Sequence, residues 1–249
     1  MLTFWLNRDK LVHLYGEDLN GDGVEDDDIG NNLFIGESIH SIYGYKQDGI
    51  VQETDVEYME KNGVSPGSPK YVDITGEGVI TVEDRQIVGN TAPNFKLNLS
   101  NTLKYKNLEL YFMLAGVFGG NGYYQQSNKA AYIIGGGGDF FGVNSLYVPY
   151  WTPENKSNVY PAATYTGDSY FLGLQSRAYV RLQDISLSYI FDQPWMKKVG
   201  LNTLKLFVTG KNLLTFTGWD GGDPEIGDSF VAGTYPVMKS FSVGVNFSF

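Results

Sequence analysis

An all-β fold is what the sequence predicts, namely an antiparallel transmembrane β-barrel portion of about six strands with long extracellular loops. Three observations predict it: apolar and polar residues alternate in several segments, short and long connections alternate, and the composition suits strands. Aromatic residues make up 15% of the chain, charged residues only 18%, and there are 31 glycines. No apolar run approaches the ~18 residues of a membrane helix, so a helical membrane protein is excluded.

The alternation is complete in residues 240–249, where Phe241, Val243 and Phe247 share one face and serines fall on the other. One face would meet lipid and the other a polar lumen. A half-buried strand of a soluble sandwich alternates in the same way, so this strand alone leaves both open. Further segments repeat the pattern, with a first strand expected before Leu14 and a β-bulge near residues 183–184. These segments are residues 95–105, 108–118, 180–191 and 204–216.

The connections between these strands differ greatly in length. Residues 104–107 form a tight turn and residues 192–202 a moderate one, whereas residues 119–177 and 218–239 are long. Outer-membrane barrels have short periplasmic turns and long extracellular loops, so the pattern favours that class. We expect residues 1–249 to be one barrel unit. Residues 1–93 would hold the first strand and a long extracellular loop with acidic turns, and residues 94–249 the other strands and loops.

Charge and residue types exclude two classes of function. The formal net charge is −10, which argues against nucleic acid as a partner because phosphate binding needs a basic face. The chain has no cysteine, and its two histidines, His13 and His40, lack metal-ligand or catalytic spacing. The sequence therefore predicts no enzyme.

An acidic loop at residues 73–84 matches part of a calcium-binding loop. Oxygen ligands fall at Asp73, Thr75 and Glu77, the carbonyl of Val79 follows, and Asp84 closes the twelve-residue pattern. A threonine at the third position and aspartate at the twelfth depart from that pattern. A calcium site is one interpretation. The other is a turn in which the Asp side chains bond their own backbone.

Several motifs, spread over most of the chain in one order, resemble those of SusC/RagA-type TonB-linked outer-membrane proteins, which are TonB-dependent transporters and receptors. The motifs are YGYK (43–46) with DGI (48–50), DITGEG (73–78) with DR (84–85) and IVGN (87–90), YWTPEN (150–155), SRAYVRLQDISLSY (176–189), WMKKVG (195–200), GKNL (210–213) and DPE (223–225). The resemblance is to the C-terminal portion of such a protein.

This resemblance implies a large single-chain barrel in the outer membrane, in contact with its lipid, that imports glycan fragments or peptides with energy delivered through TonB. Such proteins work beside a SusD-like surface lipoprotein. The plug domain, the TonB-contacting segment and a signal peptide have no counterpart in the sequence, so we expect this chain to be the C-terminal part. About six strands cannot close a barrel alone.

The alternative function is a soluble calcium-stabilised β-sandwich that binds glycan. Tyr150, Trp151 and Trp219 are its candidate ligand-binding residues, because aromatic rings stack on sugar faces. Loop packing or anchoring at the membrane interface is the other interpretation of these rings.

The end of the chain carries a candidate assembly signal. Phe247 and Phe249 give the chain an aromatic end, which is typical of outer-membrane barrels. Phe241 would lie toward the opposite membrane interface. The resemblance implies that this strand is read by the assembly machinery and then pairs with the first strand of the barrel.

Overall fold

The computed structural model describes residues 1–123, 149–165, 173–220, 223–225 and 237–249. The strands, in chain order, are β1 (Leu2–Trp5), β2 (Ser41–Tyr45), β3 (Gln47–Ile50), β4 (Pro69–Tyr71), β5 (Arg85–Asn90), β6 (Pro93–Tyr105), β7 (Leu108–Gly119), β8 (Asn121–Tyr123), β9 (Leu174–Ser176), β10 (Tyr179–Phe191), β11 (Thr203–Thr217) and β12 (Ser240–Ser248). The helices are α1 (Val56–Asn62) and α2 (Pro194–Lys198), with short 3-10 turns at Ile29–Asn31 and Val82–Asp84.

One six-stranded antiparallel sheet, in the order β1-β6-β7-β10-β11-β12, dominates the fold. All five predicted strands are present, with ends within two residues of the prediction, and the first strand lies before Leu14 as expected. The predicted bulge is also present, because the register of β10 against both neighbours shifts between Leu182 and Asp184. Strand order and direction are therefore confirmed.

The register places apolar residues opposite one another across the whole sheet. Val243 pairs with Val208, and Val208 pairs with Leu187. We call this side the apolar face; its exposed members include Phe4, Leu99, Leu103, Leu187, Val208, Phe216, Phe241, Val243, Val245 and Phe247. The other side, the polar face, carries mostly serine, threonine, asparagine and charged residues along the same strands.

The apolar face has no protein cover in the described part of the chain. Val243 is 80% exposed and Phe241 is 73% exposed. Among the described elements, the extended contacts all join neighbours within one sheet, so none of the described sheets packs on this face as the second sheet of a sandwich would. At about 3.3 Å per residue, the 13 residues of β10 tilted by about 45° span roughly 30 Å, which matches a bilayer core.

Half of the buried hydrophobic residues among those described lie in a second region, which we call the loop layer: residues 41–90, 149–165 and 173–176. It contains the two-stranded sheets β2-β5 and β3-β4 and holds Ile50, Val51 and Trp151 in its core. Helix α1 also lies in this layer. It ends at Gly63, whose φ of 63° caps the last turn. None of the described helices is long and apolar enough to cross a membrane.

Candidate functional site

The loop layer is held together by contacts between segments far apart in sequence. The side-chain Oδ1 of Asn158 accepts a hydrogen bond from the backbone N–H of Ile50 at 2.9 Å. Trp151 Nε1 donates to Gln52 Oε1 at 2.9 Å. Residues 149–165 are thereby fixed against β3 and the turn that follows it.

Of the three candidate aromatic residues, Tyr150 and Trp151 lie in this layer, and Trp219 lies against Gly122 of β8. Trp151 is 8% exposed and Trp219 is 4% exposed. A Cβ at Gly67 would lie 2.7 Å from Cε3 of Trp151, so only glycine lets the backbone approach the indole this closely. Burial raises the pKa of Tyr150 to about 12. The burial favours loop packing over cargo contact, and cargo binding by these rings stays a prediction.

A cavity of about 500 Å³, which we call the loop cavity, opens between β3, β5, β9 and residues 158–159. Its walls include Tyr45, Lys46, Gln86 and Asn158. The volume is within the range of small-molecule sites. Sequence reasoning missed this cavity because its lining comes from four segments that are far apart in the chain, and no pattern within a segment indicates that they meet.

The acidic loop at residues 73–84 forms a hydrogen-bonded turn around Asp84, which is fully buried. One carboxylate oxygen accepts the backbone N–H groups of Ile74 and Thr75 at 2.9 and 3.1 Å. The other accepts the N–H of Thr81 at 2.7 Å, which completes a capping box. These bonds, that of Thr81 first, lower the pKa of Asp84 to about 2.

The remaining calcium candidates are arranged around the same turn. Asp73 accepts the N–H groups of Gly76 and Gly78 at 2.6 Å each, and these bonds, that of Gly78 first, hold the pKa of Asp73 below its ordinary value. Thr75 donates to both Asp73 and Asp84, whereas Glu77 and Val79 are exposed.

In the part of the chain that the structure describes, no three His, Cys, Asp or Glu side chains are grouped as metal ligands. The oxygens of Asp73 and Asp84 already accept backbone N–H groups, so this arrangement does not fit a calcium ion. The geometry favours the hydrogen-bonded turn, and calcium binding stays a prediction.

A buried ion pair joins β10 to the long connection after β11. Arg181 Nη2 donates to both carboxylate oxygens of Asp223, at 2.8 and 2.9 Å, and both side chains are buried. Arg181 Nη1 donates to Glu225 at 2.7 Å and Nε donates to Thr215 at 3.0 Å. Every nitrogen of the guanidinium group therefore has an acceptor, which is what a buried arginine requires.

A second arginine, Arg177, donates hydrogen bonds to the backbone of residues 223–225. Arg177 Nε donates to the carbonyl of Pro224 at 3.1 Å, and Arg177 Nη2 donates to the carbonyl of Glu225 at 2.9 Å. We call Arg177, Arg181 and residues 223–225 the arginine clamp. The sequence showed RAYVR and DPE only as motifs, and nothing in their spacing indicated that they meet.

The polar face carries a further charge cluster at the end with the short turns. Glu109 receives Lys104 Nζ at one oxygen and Lys205 Nζ at the other, both at 3.0 Å. The strands β6, β7 and β11 contribute these side chains, and β10 lies between β7 and β11. The cluster confirms that charged residues of β6 and β11 project to one side of the sheet.

The candidate assembly residues lie at an edge of the sheet. In the described chain β12 pairs only with β11, and β1 and β12 are the two edges. Phe241, Phe247 and Phe249 are all exposed, and the rings of Phe247 and Phe249 pack edge to face at 5.4 Å. Their role in assembly stays a prediction.

Comparison with known proteins gives relatives along the whole chain. TonB-dependent receptor P3 of Formosa agariphila is 31% identical over 281 residues, covering 99% of this chain and 26% of the relative. TonB-dependent receptor SusC of Bacteroides thetaiotaomicron is 25% identical over 257 residues, covering 98% of this chain and 23% of the relative. The chain thus spans about a quarter of the length of these curated relatives. No protein-family model matches it.

Two solved structures are similar in fold. The RagAB peptide importer in its open-open state matches 100% of this chain and 26% of that chain, with a TM-score of 0.68 and 19% identity. The RagAB peptide transporter matches 87% of this chain and 24% of that chain, with a TM-score of 0.64 and 20% identity. This likeness confirms the predicted barrel portion.

Proposed function

Because the chain belongs to the SusC/RagA-type TonB-linked proteins of the outer membrane, we propose that it forms part of the barrel wall and the extracellular loops of an importer. The importer would carry glycan fragments or peptides inward with energy delivered through TonB. We propose import and not catalysis as the activity, because the relatives are named as receptors and importers.

The uncovered apolar face of the six-stranded sheet carries this proposal. A face of this size exposed to water would cost roughly 25 cal/mol for each Å² of apolar surface, and soluble proteins bury such faces. Lipid is the environment that removes this cost without a second protein layer. The polar face, with its bonded lysines and serines, then lines the lumen.

The proposed position of the chain in the barrel wall indicates which partners it would contact. The loop layer would lie on the extracellular side, where a SusD-like surface lipoprotein would close over the barrel. The open edges at β1 and β12 need further strands of the barrel, because an unpaired edge in lipid leaves backbone N–H and C=O groups without acceptors and donors.

Fractionation and uptake test the proposal together. The full-length receptor that contains this chain should appear in the outer-membrane fraction. Cells should accumulate its labelled cargo only with TonB intact, and a strain lacking TonB is the matched control. Recovery of the receptor in the soluble periplasm, or uptake that is equal without TonB, would contradict the proposal. The soluble sandwich would instead give a protein that needs no detergent.

A further inference from the structure

The loop cavity is framed by side-chain amides that are already satisfied. Gln47 accepts the N–H of Gly173 at 3.1 Å and donates to the carbonyl of Gly49 at 3.3 Å. Gln175 donates to Asp220 at 2.7 Å and accepts the backbone N–H of the same residue at 3.1 Å. These two glutamines hold the walls in place and have little capacity left for a ligand.

Three other lining side chains keep free donors. The N–H of Ile50 fixes the orientation of the Asn158 amide, so Asn158 Nδ2 faces away from that bond with no acceptor among the described residues. Gln86 is half-buried, and the described residues give its amide no partner either. Lys46 is exposed and forms no ion pair with any described residue. The side chains that line the cavity thus include one ammonium group and two amides with free donor capacity.

The lining carries no opposing charge. Aspartate and glutamate outnumber lysine and arginine by 28 to 18 in the chain, yet no described residue that lines the cavity is acidic. Because these donors have no acceptors among the described residues and one of them is a charged ammonium, the cavity favours a ligand with an anionic group that accepts hydrogen bonds. A planar carboxylate has two oxygens that can accept several N–H donors at once.

We propose that the loop cavity binds the carboxylate of a small acidic molecule, with Lys46, Gln86 and Asn158 as its donors. The site deepens the proposed import function, on which it rests, by assigning a charge class to part of the cargo. A uronic-acid unit of an oligosaccharide and an acidic peptide residue share this chemistry.

Calorimetric titration of the full-length receptor in detergent tests the site with two probes, a uronic-acid disaccharide and an acidic dipeptide. Each is compared with its methyl ester, which keeps the shape and removes the charge. The acid should bind at least about tenfold more tightly than the ester. Whichever acid binds identifies the source of the carboxylate. Equal affinities of acid and ester, or no binding of either acid, would overturn the proposal.

Two variants and one control locate the binding. Asn158→Asp keeps the acceptor for Ile50 but replaces the free donor by a negative oxygen, so affinity should fall by more than about tenfold. Lys46→Gln should weaken binding by about tenfold. Lys156→Gln removes one positive charge from the same layer, where Lys156 pairs with Glu53 at 2.8 Å outside the cavity, and should leave affinity unchanged. Equal effects of Lys46→Gln and Lys156→Gln would overturn the site.

Binding at equilibrium needs no TonB, so the two proposals fail separately. A receptor that takes up cargo through TonB but binds neither acid would overturn the loop cavity alone. A receptor outside the outer membrane would overturn the import function.

Discussion

Replacing Val243 by lysine tests which face of the sheet meets lipid. Val243 is the fourth of nine residues in β12 and is 80% exposed, opposite Val208 on the apolar face. It therefore lies near the middle of the apolar band. A lysine on the lipid face at the bilayer midplane costs about 2–4 kcal/mol in a transmembrane barrel.

The neighbouring residue provides a matched control. Ser242 pairs with Thr209 and projects from the polar face, one residue away at almost the same depth. Ser242→Lys adds the same side chain on the lumenal side, where water can solvate it. Its cost should stay within about 0.5 kcal/mol, as for surface substitutions.

The assay is guanidinium unfolding of the full-length receptor refolded into lipid vesicles. A cost of about 2–4 kcal/mol lowers the ratio of folded to unfolded receptor roughly 30-fold to 700-fold. The unfolding midpoint of Val243→Lys should fall clearly below that of Ser242→Lys, and its outer-membrane level should fall too. Equal costs for the two variants, or a larger cost for Ser242→Lys, would refute the assignment of the faces.

Four further predictions follow from the loops and the chain end. Arg181→Met should destabilise the receptor by about 3–5 kcal/mol because it leaves Asp223 buried without its cation; thermal unfolding measures this, and adding Asp223→Leu should recover most of the loss. The Asp84 carboxylate has a lowered pKa, so its contribution to stability is present above pH 3.8 and lost as pH falls toward 2. Proteolysis of the loop at about pH 5 and about pH 2 should therefore differ in the parent and much less in Asp84→Asn. Calcium titration should give no heat from the turn at residues 73–84, whereas heat that disappears in Asp73→Ala would establish the calcium site. Deleting Phe249 should lower the outer-membrane level of the receptor without changing its affinity for cargo, and an unchanged level would remove the assembly role.

The sheet could be predicted from sequence because its signal is local. Side chains alternate with a period of two, so each strand reports its own two faces without reference to any other segment. The parity change in residues 180–191 even located the bulge between Leu182 and Asp184. Short connections predicted only the pairs β6-β7 and β10-β11, since consecutive antiparallel strands joined by tight turns usually pair. The pairs β7-β10 and β11-β12 form across long connections.

The loop layer could not be predicted because its contacts join residues far apart in the chain. Asn158 and Ile50 are separated by 108 residues, and Trp151 and Gln52 by 99. Each bond joins a side chain to one specific partner, and no periodic pattern encodes that pairing. The same limit applied to Trp151, whose aromatic ring suited stacking on a sugar as well as packing in a core.

The arginine clamp joins the regular sheet to an irregular loop, the connection that follows β11. Exposed ion pairs contribute only about 0–1 kcal/mol, and a buried pair such as Arg181 with Asp223 repays its desolvation only through well-formed bonds. Its main effect is therefore positional, since it fixes residues 223–225 against β10. Arg177 and Arg181 together thus determine where this part of the loop lies relative to the sheet.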